Sequence, residues 1–241
     1  MKYIDLFGGK KPVIAMLHLK EDARMSMMER AKAEIDAYMR AGVDAVLVEN
    51  YFGSASDCEQ VLKYLQEEKP DVLYGVNILG DYRKAFELSA AYGAKFIQID
   101  SVCGHLRPEQ EKRFVRELNE LRMQTDIVLL GGVRFKYQPV RSGRTVEEDL
   151  LLGMERCDAI VVTGEGTGMA TPQEKVRQFR KALGDFPLVV GAGVTLDTVQ
   201  ESFKDGDGAI VGSWFKQDHR DIGDVEYRYV EEFMNRKRLC D

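Results

Sequence analysis

Short apolar runs alternate with amphipathic stretches along the whole chain. Val13–Leu17 reads VIAML without a polar interruption, the pattern of a strand buried on both faces. Ser26 stands three residues before Glu29, a capping box. The helix it opens carries Ala31, Ile35, Tyr38 and Met39 on one side, and Gly42 ends it. A second strand is predicted at 45–48, followed by Glu49 and Asn50. Ser56 and Glu59 predict the cap of the next helix, whose apolar face is Val61, Leu62 and Leu65. A strand at 73–79 carries Asn77, a helix at Tyr82–Tyr92 closes on Gly93, and a strand at 96–100 ends in Asp100. Pro108 opens a helix with Phe114, Val115, Leu118 and Leu121 as its stripe.

The rhythm continues to the end. A strand at 127–135 runs on into Lys136 and Tyr137, and Thr145 with Glu148 caps the helix after it. The strand Ala159–Val162 ends in the Gly-rich segment 163–168, and Thr171, Pro172 and Glu174 mark a helix start. Within 188–215, one apolar run ends in Gly191, Ala192 and Gly193, a short helix is predicted after Val194, and a second run ends in Gly212 and Ser213. A last helix at 224–239 turns Tyr227, Val230, Phe233 and Met234 inward. Eight strand–helix alternations imply parallel strands joined by right-handed crossovers. An open doubly wound sheet is the rival arrangement. A length of 241 residues, near the ~250 of a typical barrel, and the late Gly-rich ends favour closure. The expectation is an α/β fold, a single (β/α)8 TIM barrel over residues 1–241, of the ribulose-phosphate-binding type.

Composition narrows the setting. A net charge of −6 disfavours nucleic acid and anionic membrane as principal partners. Cys58, Cys103, Cys157 and Cys240 are scattered, without the CxxC spacing of zinc or dithiol sites, which suits a reducing cytoplasm. Residues 1–11 carry no apolar signal core, and no stretch reaches membrane-spanning length. The expectation is a cytoplasmic protein and, for a barrel of this size, a homo-oligomer.

In such barrels chemistry gathers at the carboxyl ends of the strands. The polar residues there are His18, Glu49, Asn50, Asn77, Asp100, Arg134, Lys136 and Thr163. Strand alternation puts Arg134 and Lys136 on one face; if it is the mouth, two cations meet Glu49 or Asp100 as partner or general base. An ion pair across the mouth that only neutralises buried charge is the plainer alternative. Lys136 is either a Schiff-base lysine or, the favoured role, a charged group binding phosphate or carboxylate. Glu49, Asn77, Asp100, Arg134 and Lys136 are therefore the candidate catalytic set. Gly164, Thr167, Gly168, Gly191, Gly193, Gly212 and Ser213 are the candidate phosphate grip, because glycine lets backbone N–H groups approach an anion and a helix start adds more donors. The alternative for these glycines is tight turns alone. Three histidines without an HxH pair argue against a histidine metal centre, and Glu49 or Asp100 are candidate Mg²⁺ ligands without supporting spacing. Cys103 is read as structural, His105 and His219 as surface residues, and Met25, Met27 and Met28 as packing or a lid.

The segments VIAMLHL, AGVDAVLVENYFG, GVNIL, DAIVVTGEGTG, ATPQEKV, LVVGAGVT and GAIVGSWFK, in that order, resemble the BtpA/SgcQ family of TIM-barrel proteins over nearly the whole length. The family's strand-end lysine falls on Lys136, followed by Tyr137 where the family commonly has histidine. The loop after the first strand, Lys20 to Arg24, lacks the family's Pro/Gly-rich character, and Gly80, Asp81 and Tyr82 replace its usual Arg-Asn-Asp. The resemblance implies the barrel, and links to photosystem I biogenesis and sugar-uptake gene sets, but no settled reaction. Two functions follow. The first is an enzyme acting on a small phosphorylated metabolite, a sugar phosphate or nucleotide, by proton transfer or C–C or C–N cleavage, of lyase or isomerase type. The second is a non-catalytic assembly or regulatory scaffold.

Overall fold

The computed structural model describes residues 2–240; Met1 and Asp241, the ends of the expected domain, lie outside them. The elements run α1 (Tyr3–Leu6), β1 (Val13–Leu17), α2 (Met27–Ala41), β2 (Ala45–Glu49), α3 (Ala55–Glu68), β3 (Tyr74–Asn77), α4 (Tyr82–Tyr92), β4 (Phe96–Cys103), α5 (Pro108–Arg122), β5 (Val128–Val133), α6 (Val146–Met154), β6 (Ala159–Val162), α7 (Gln173–Leu183), β7 (Leu188–Val190), α8 (Val199–Asp205), β8 (Gly208–Val211) and α9 (Tyr227–Lys237), with 3-10 turns at Ser213–Phe215 and Gln217–His219. The eight strands pair in sequence order, all parallel, and β8 returns to β1 with Ile14 opposite Ile210. The open-sheet alternative is excluded; the chain is a (β/α)8 barrel.

Strand alternation divides the core into two layers. Val13, Ala15 and Leu17 of β1 face the helices, as do Val46 and Val48 of β2. Ile14, Met16, Ala45, Leu47, Phe96, Val128, Leu130, Val161 and Ile210 fill the lumen. Phe96 spans it beside Gly75, where an added Cβ would lie 2.4 Å from the ring. Truncating a buried Phe of this kind costs about 3–5 kcal/mol. The inward parity that begins with these apolar residues carries on to His18, Glu49, Asn77 and Asp100 at the carboxyl ends. The far end of the lumen is closed by α1, unpredicted from sequence, whose Tyr3 and following Phe7 join the inner cluster; the Tyr3 hydroxyl donates to the Asp207 carbonyl at 3.1 Å.

Several boundaries differ from expectation. Ser26 and Glu29 close the capping box of α2, and Gly42 ends it in the left-handed region at φ 83°. The cap of α3 is Ser54, paired with Asp57, not Ser56. The Thr171 hydroxyl does not cap α7; it donates to the Ala192 carbonyl at 3.0 Å and ties the β6 loop to the β7 loop. The helix expected after Val194 begins at Val199, so its N-terminus stands back from Gly193 behind the Thr195–Thr198 turn. The strand expected at 127–135 leaves the sheet after Val133.

Candidate active site

The carboxyl ends of the strands surround a cavity of about 230 Å³. One wall holds the acidic group. Glu49, last residue of β2, is buried, and the Asn77 side-chain amide from β3 donates to its Oε1 at 2.7 Å and to Asp100 Oδ1 of β4 at 3.1 Å. Gln98 Nε2 also donates to Asp100 Oδ1, at 3.2 Å. One amide thus holds two carboxylates from different strands on fixed vectors. Burial, then the Asp100 charge, raises the Glu49 carboxyl from 4.5 to about 7, against the opposing pull of Lys136, the Asn77 hydrogen bond and Lys216. A carboxyl poised there exchanges protons readily at neutral pH. His18 Nε2 lies 3.8 Å from Glu49 Oε2, and its ring stacks on Tyr51 with centroids 4.8 Å apart. Burial first, then the charges of Lys216 and Lys136, hold His18 well below its usual range, so it is neutral.

The opposite wall is made of backbone. Gly168, Gly191, Ala192, Gly193, Gly212 and Ser213 line the cavity. Gly193 sits at φ 61°, and a Cβ there would fall 2.2 Å from the Met169 carbonyl. Only glycine fits this crossing of the β6 and β7 loops. Gly168, at φ 73°, faces the Ser213 side chain of β8's end. Among the described residues the N–H groups of Gly168, Gly193 and Ser213 donate to no protein acceptor, whereas the Gly191 N–H is spent on the Val162 carbonyl at 2.8 Å. Gly191 therefore contributes room rather than a donor.

Lys136 reaches the cavity from β5. Its Nζ donates to Thr167 Oγ1 at 3.1 Å, and its N–H to Thr163 Oγ1 at 2.8 Å. Thr167 is a hub: its N–H donates to the Tyr137 hydroxyl at 2.8 Å, and the Tyr51 hydroxyl, which also bonds Asp221 Oδ2 at 3.2 Å, stands 3.5 Å from its Oγ1. Loops after β2, β5, β6 and β8 are laced together over the mouth.

Three members of the sequence-derived set do not line the cavity: Asn77 touches it only through Glu49 and Asp100, which it holds, and Arg134 and Gly164 are directed elsewhere. Arg134 does not share a face with Lys136. It adopts φ 48°, which breaks strand alternation, sends Phe135 into the lumen and turns the Arg134 guanidinium away. There Nε donates to buried Asp149 at 3.0 Å and an Nη to the Arg144 carbonyl at 2.6 Å. Gly164 is likewise outside the lining; a Cβ there would meet the Ala170 carbonyl at 2.8 Å, so it permits its own loop to fold back. Asn50 ties strand ends together by accepting from the Leu79 N–H at 2.7 Å. His105, expected at the surface, is half-buried edge-on against Phe114, and burial lowers it to about 4. His219 is exposed but stacks on Trp214 at 3.8 Å on the cavity rim. Cys103 is buried, and burial pushes its thiol up to about 11. Among the described residues no three His, Cys, Asp or Glu side chains converge as a metal site, so the Mg²⁺ suggestion gains no ligand set.

Tyr51, Gln98 and Lys216 went unnoticed in the sequence, and Lys216 is the least legible of them. Lys216 is 2% exposed, and its Nζ lies 3.1 Å from His18 Nδ1 and donates to the Asp221 carbonyl at 2.9 Å. It sits in the segment KQDHRD, which has the composition of a solvated face. Only its place directly after the buried Phe215 hinted otherwise.

The fold and this mouth define a (β/α)8 barrel with ionisable groups on one wall and free backbone donors on the other. The chain belongs to the BtpA family, which it matches over residues 9–238. An uncharacterized protein of Thermococcus kodakarensis is 31% identical over 93% of this chain and 94% of its own length. Among solved structures, thiamine phosphate pyrophosphorylase from Pyrococcus furiosus superposes with a TM-score of 0.64 at 16% identity, covering 98% of each chain. N-(5'-phosphoribosyl)anthranilate isomerase from the same organism gives 0.61 at 14%, covering 95% of this chain and 99% of that one. At these identities the likeness is one of fold.

Proposed function

We propose that the protein is an enzyme that binds a small phosphorylated metabolite, a sugar phosphate or nucleotide, and moves a proton or cleaves a C–C or C–N bond in it. The observation that carries this reading is a single cavity with the unpaired N–H groups of Gly168, Gly193 and Ser213 on one side and the Glu49 carboxyl, raised to about 7, on the other. The amides and the Ser213 hydroxyl hold the phosphate, as preorganised dipoles hold anions without reorganising. Glu49 is the acid–base group. Asp100, held by Asn77 and Gln98, keeps the Glu49 proton from leaving early. Lys136, beside Thr167, neutralises negative charge on the phosphate or on the reacting oxygen. The phosphate compounds named for the two barrels of similar fold support the same reading. No metal is assigned to it. The protein is taken as cytoplasmic and as a homo-oligomer, and size-exclusion chromatography with light scattering tests the oligomeric state.

A thermal-shift panel of phosphorylated metabolites against their dephosphorylated counterparts tests the reading. At a hundredfold excess over Kd a ligand adds about 2.7 kcal/mol, or ~5–10 °C for a domain of this size. Indifference to every phosphorylated compound favours the scaffold function instead. With a ligand in hand, Lys136→Ala that binds but does not turn over places Lys136 in the chemistry. Borohydride trapping separates a Schiff base from the charged role, an absent adduct favouring the latter.

A further inference from the structure

His18 and Lys216 form a buried pair beneath the acidic wall, joined across the β1–β8 seam. Lys216 is not in the cavity lining, and His18 is. A lysine ammonium only donates hydrogen bonds. An ammonium at Lys216 makes Nδ1 the acceptor and also occupies the Asp221 carbonyl, the backbone acceptor that competes for a ring proton of His18, which leaves the proton on Nε2, the nitrogen that faces Glu49 Oε2. The Tyr51 ring stacked on one face and Phe52 edge-on at 6.1 Å hold the imidazole plane. Burial lowers the Lys216 ammonium, with Lys20 and Arg30 lowering it further, while the buried Glu34 carboxyl of α2, itself raised by burial, and Asp221 pull it back up.

We propose that Lys216 is a positioning residue that locks His18 as the neutral Nε2–H tautomer, so that His18 presents a hydrogen-bond donor to a substrate oxygen next to the atom whose proton Glu49 exchanges. This rests on the proposed enzymatic reading for its purpose but not for its geometry. The 3.8 Å gap between Nε2 and Oε2 is too long for a direct hydrogen bond and leaves the donor available to a third oxygen. An uncharged imidazole donor strengthens as negative charge grows on that oxygen, whereas an imidazolium would surrender its proton. The substrate class narrows accordingly to a phosphorylated compound with a carbonyl or hydroxyl oxygen at the reacting centre.

Nitrogen-15 NMR of the histidine-labelled protein tests this directly, with His18 identified by the signal lost in His18→Gln and with His105 and His219 as internal references. The wild-type protein needs no ligand for the measurement. The expected spectrum at neutral pH shows a protonated Nε2 and a bare Nδ1 at His18, and no protonation of His18 down to well below pH 6.5. In Lys216→Met the His18 proton moves to Nδ1 or exchanges between the two nitrogens. A wild-type Nδ1–H tautomer overturns the proposal, whether that proton goes to a neutral Lys216 amine or to the Asp221 carbonyl; so does a tautomer indifferent to Lys216→Met in a folded variant. Failure of every phosphorylated compound in the thermal-shift panel bears on the enzymatic reading alone and leaves this tautomer measurement standing.

Discussion

Replacing Glu49 with glutamine isolates the energetic consequence of the buried carboxyl. Asn77 Nδ2 now donates to Glu49 Oε1 at 2.7 Å, and a glutamine carbonyl accepts the same bond. What Glu49→Gln removes is the titration. Burial and the Asp100 charge raise the group from 4.5 to about 7, so the folded protein holds the proton more tightly than the unfolded chain does. The stability this adds is fully present below the unfolded value of 4.5 and is lost as the pH rises through the folded value near 7. At 1.36 kcal/mol for each pH unit of the interval, the carboxyl costs the wild type about 3 kcal/mol by pH 8. Urea unfolding of both proteins at several values from about pH 5 to about pH 8 measures it. The difference, Glu49→Gln minus wild type, should move in favour of the variant by about 2–3 kcal/mol across this range. A difference that stays flat with pH refutes the buried, Asp100-coupled carboxyl and with it the choice of Glu49 as the group that exchanges protons near neutrality. Titrating groups that do not interact with Glu49 are common to both proteins and cancel.

Gly193→Ala should lower stability by about 1–2 kcal/mol for the left-handed backbone, with more from the contact to the Met169 carbonyl, and should abolish the thermal shift given by phosphorylated ligands. A variant that keeps the full ligand shift contradicts the amide grip. Arg144→Met removes a guanidinium that bonds Glu111 at 2.6 Å and buried Asp149 at 2.8 Å, on the far side of β4 and β5 from the cavity. It should cost about 3 kcal/mol in urea unfolding while leaving ligand affinity within twofold or so, because the cluster stabilises and does not bind. Equal loss of affinity and stability in that variant would place the cluster in the site after all.

Most of the architecture was legible because it rests on local, periodic signals. Ser26 with Glu29, Thr145 with Glu148, and Gly42 are local devices whose geometry needs no distant partner. For α3 the local pattern points to Ser56 with Glu59, and only the closure of the Asp57 carboxylate on the Ser54 N–H and hydroxyl, both at 2.8 Å, shows the cap to be Ser54. In the site, the residues that end regular strands were readable by parity. Glu49, Asn77 and Asp100 continue the inward rows of β2, β3 and β4. Arg134 failed that logic because a single left-handed residue resets the alternation, and a non-glycine φ of 48° leaves no mark in composition. Lys216 was invisible for a different reason. It follows the last strand in an irregular polar segment, and its burial exists only because barrel closure brings it under His18, 198 positions earlier. Long-range pairing of that kind has no period to read.

In the proposed enzyme the backbone donors at the ends of β6, β7 and β8 grip a phosphate beside Glu49. A crystal soaked in inorganic phosphate, and a second soaked in a phosphorylated ligand from the thermal-shift panel, test it most directly. A phosphate is expected within hydrogen-bond distance of the Gly168, Gly193 and Ser213 N–H groups, with the organic portion extending toward Glu49 and His18. Phosphate bound elsewhere, or a mouth that stays empty of anion in both soaks, would contradict it.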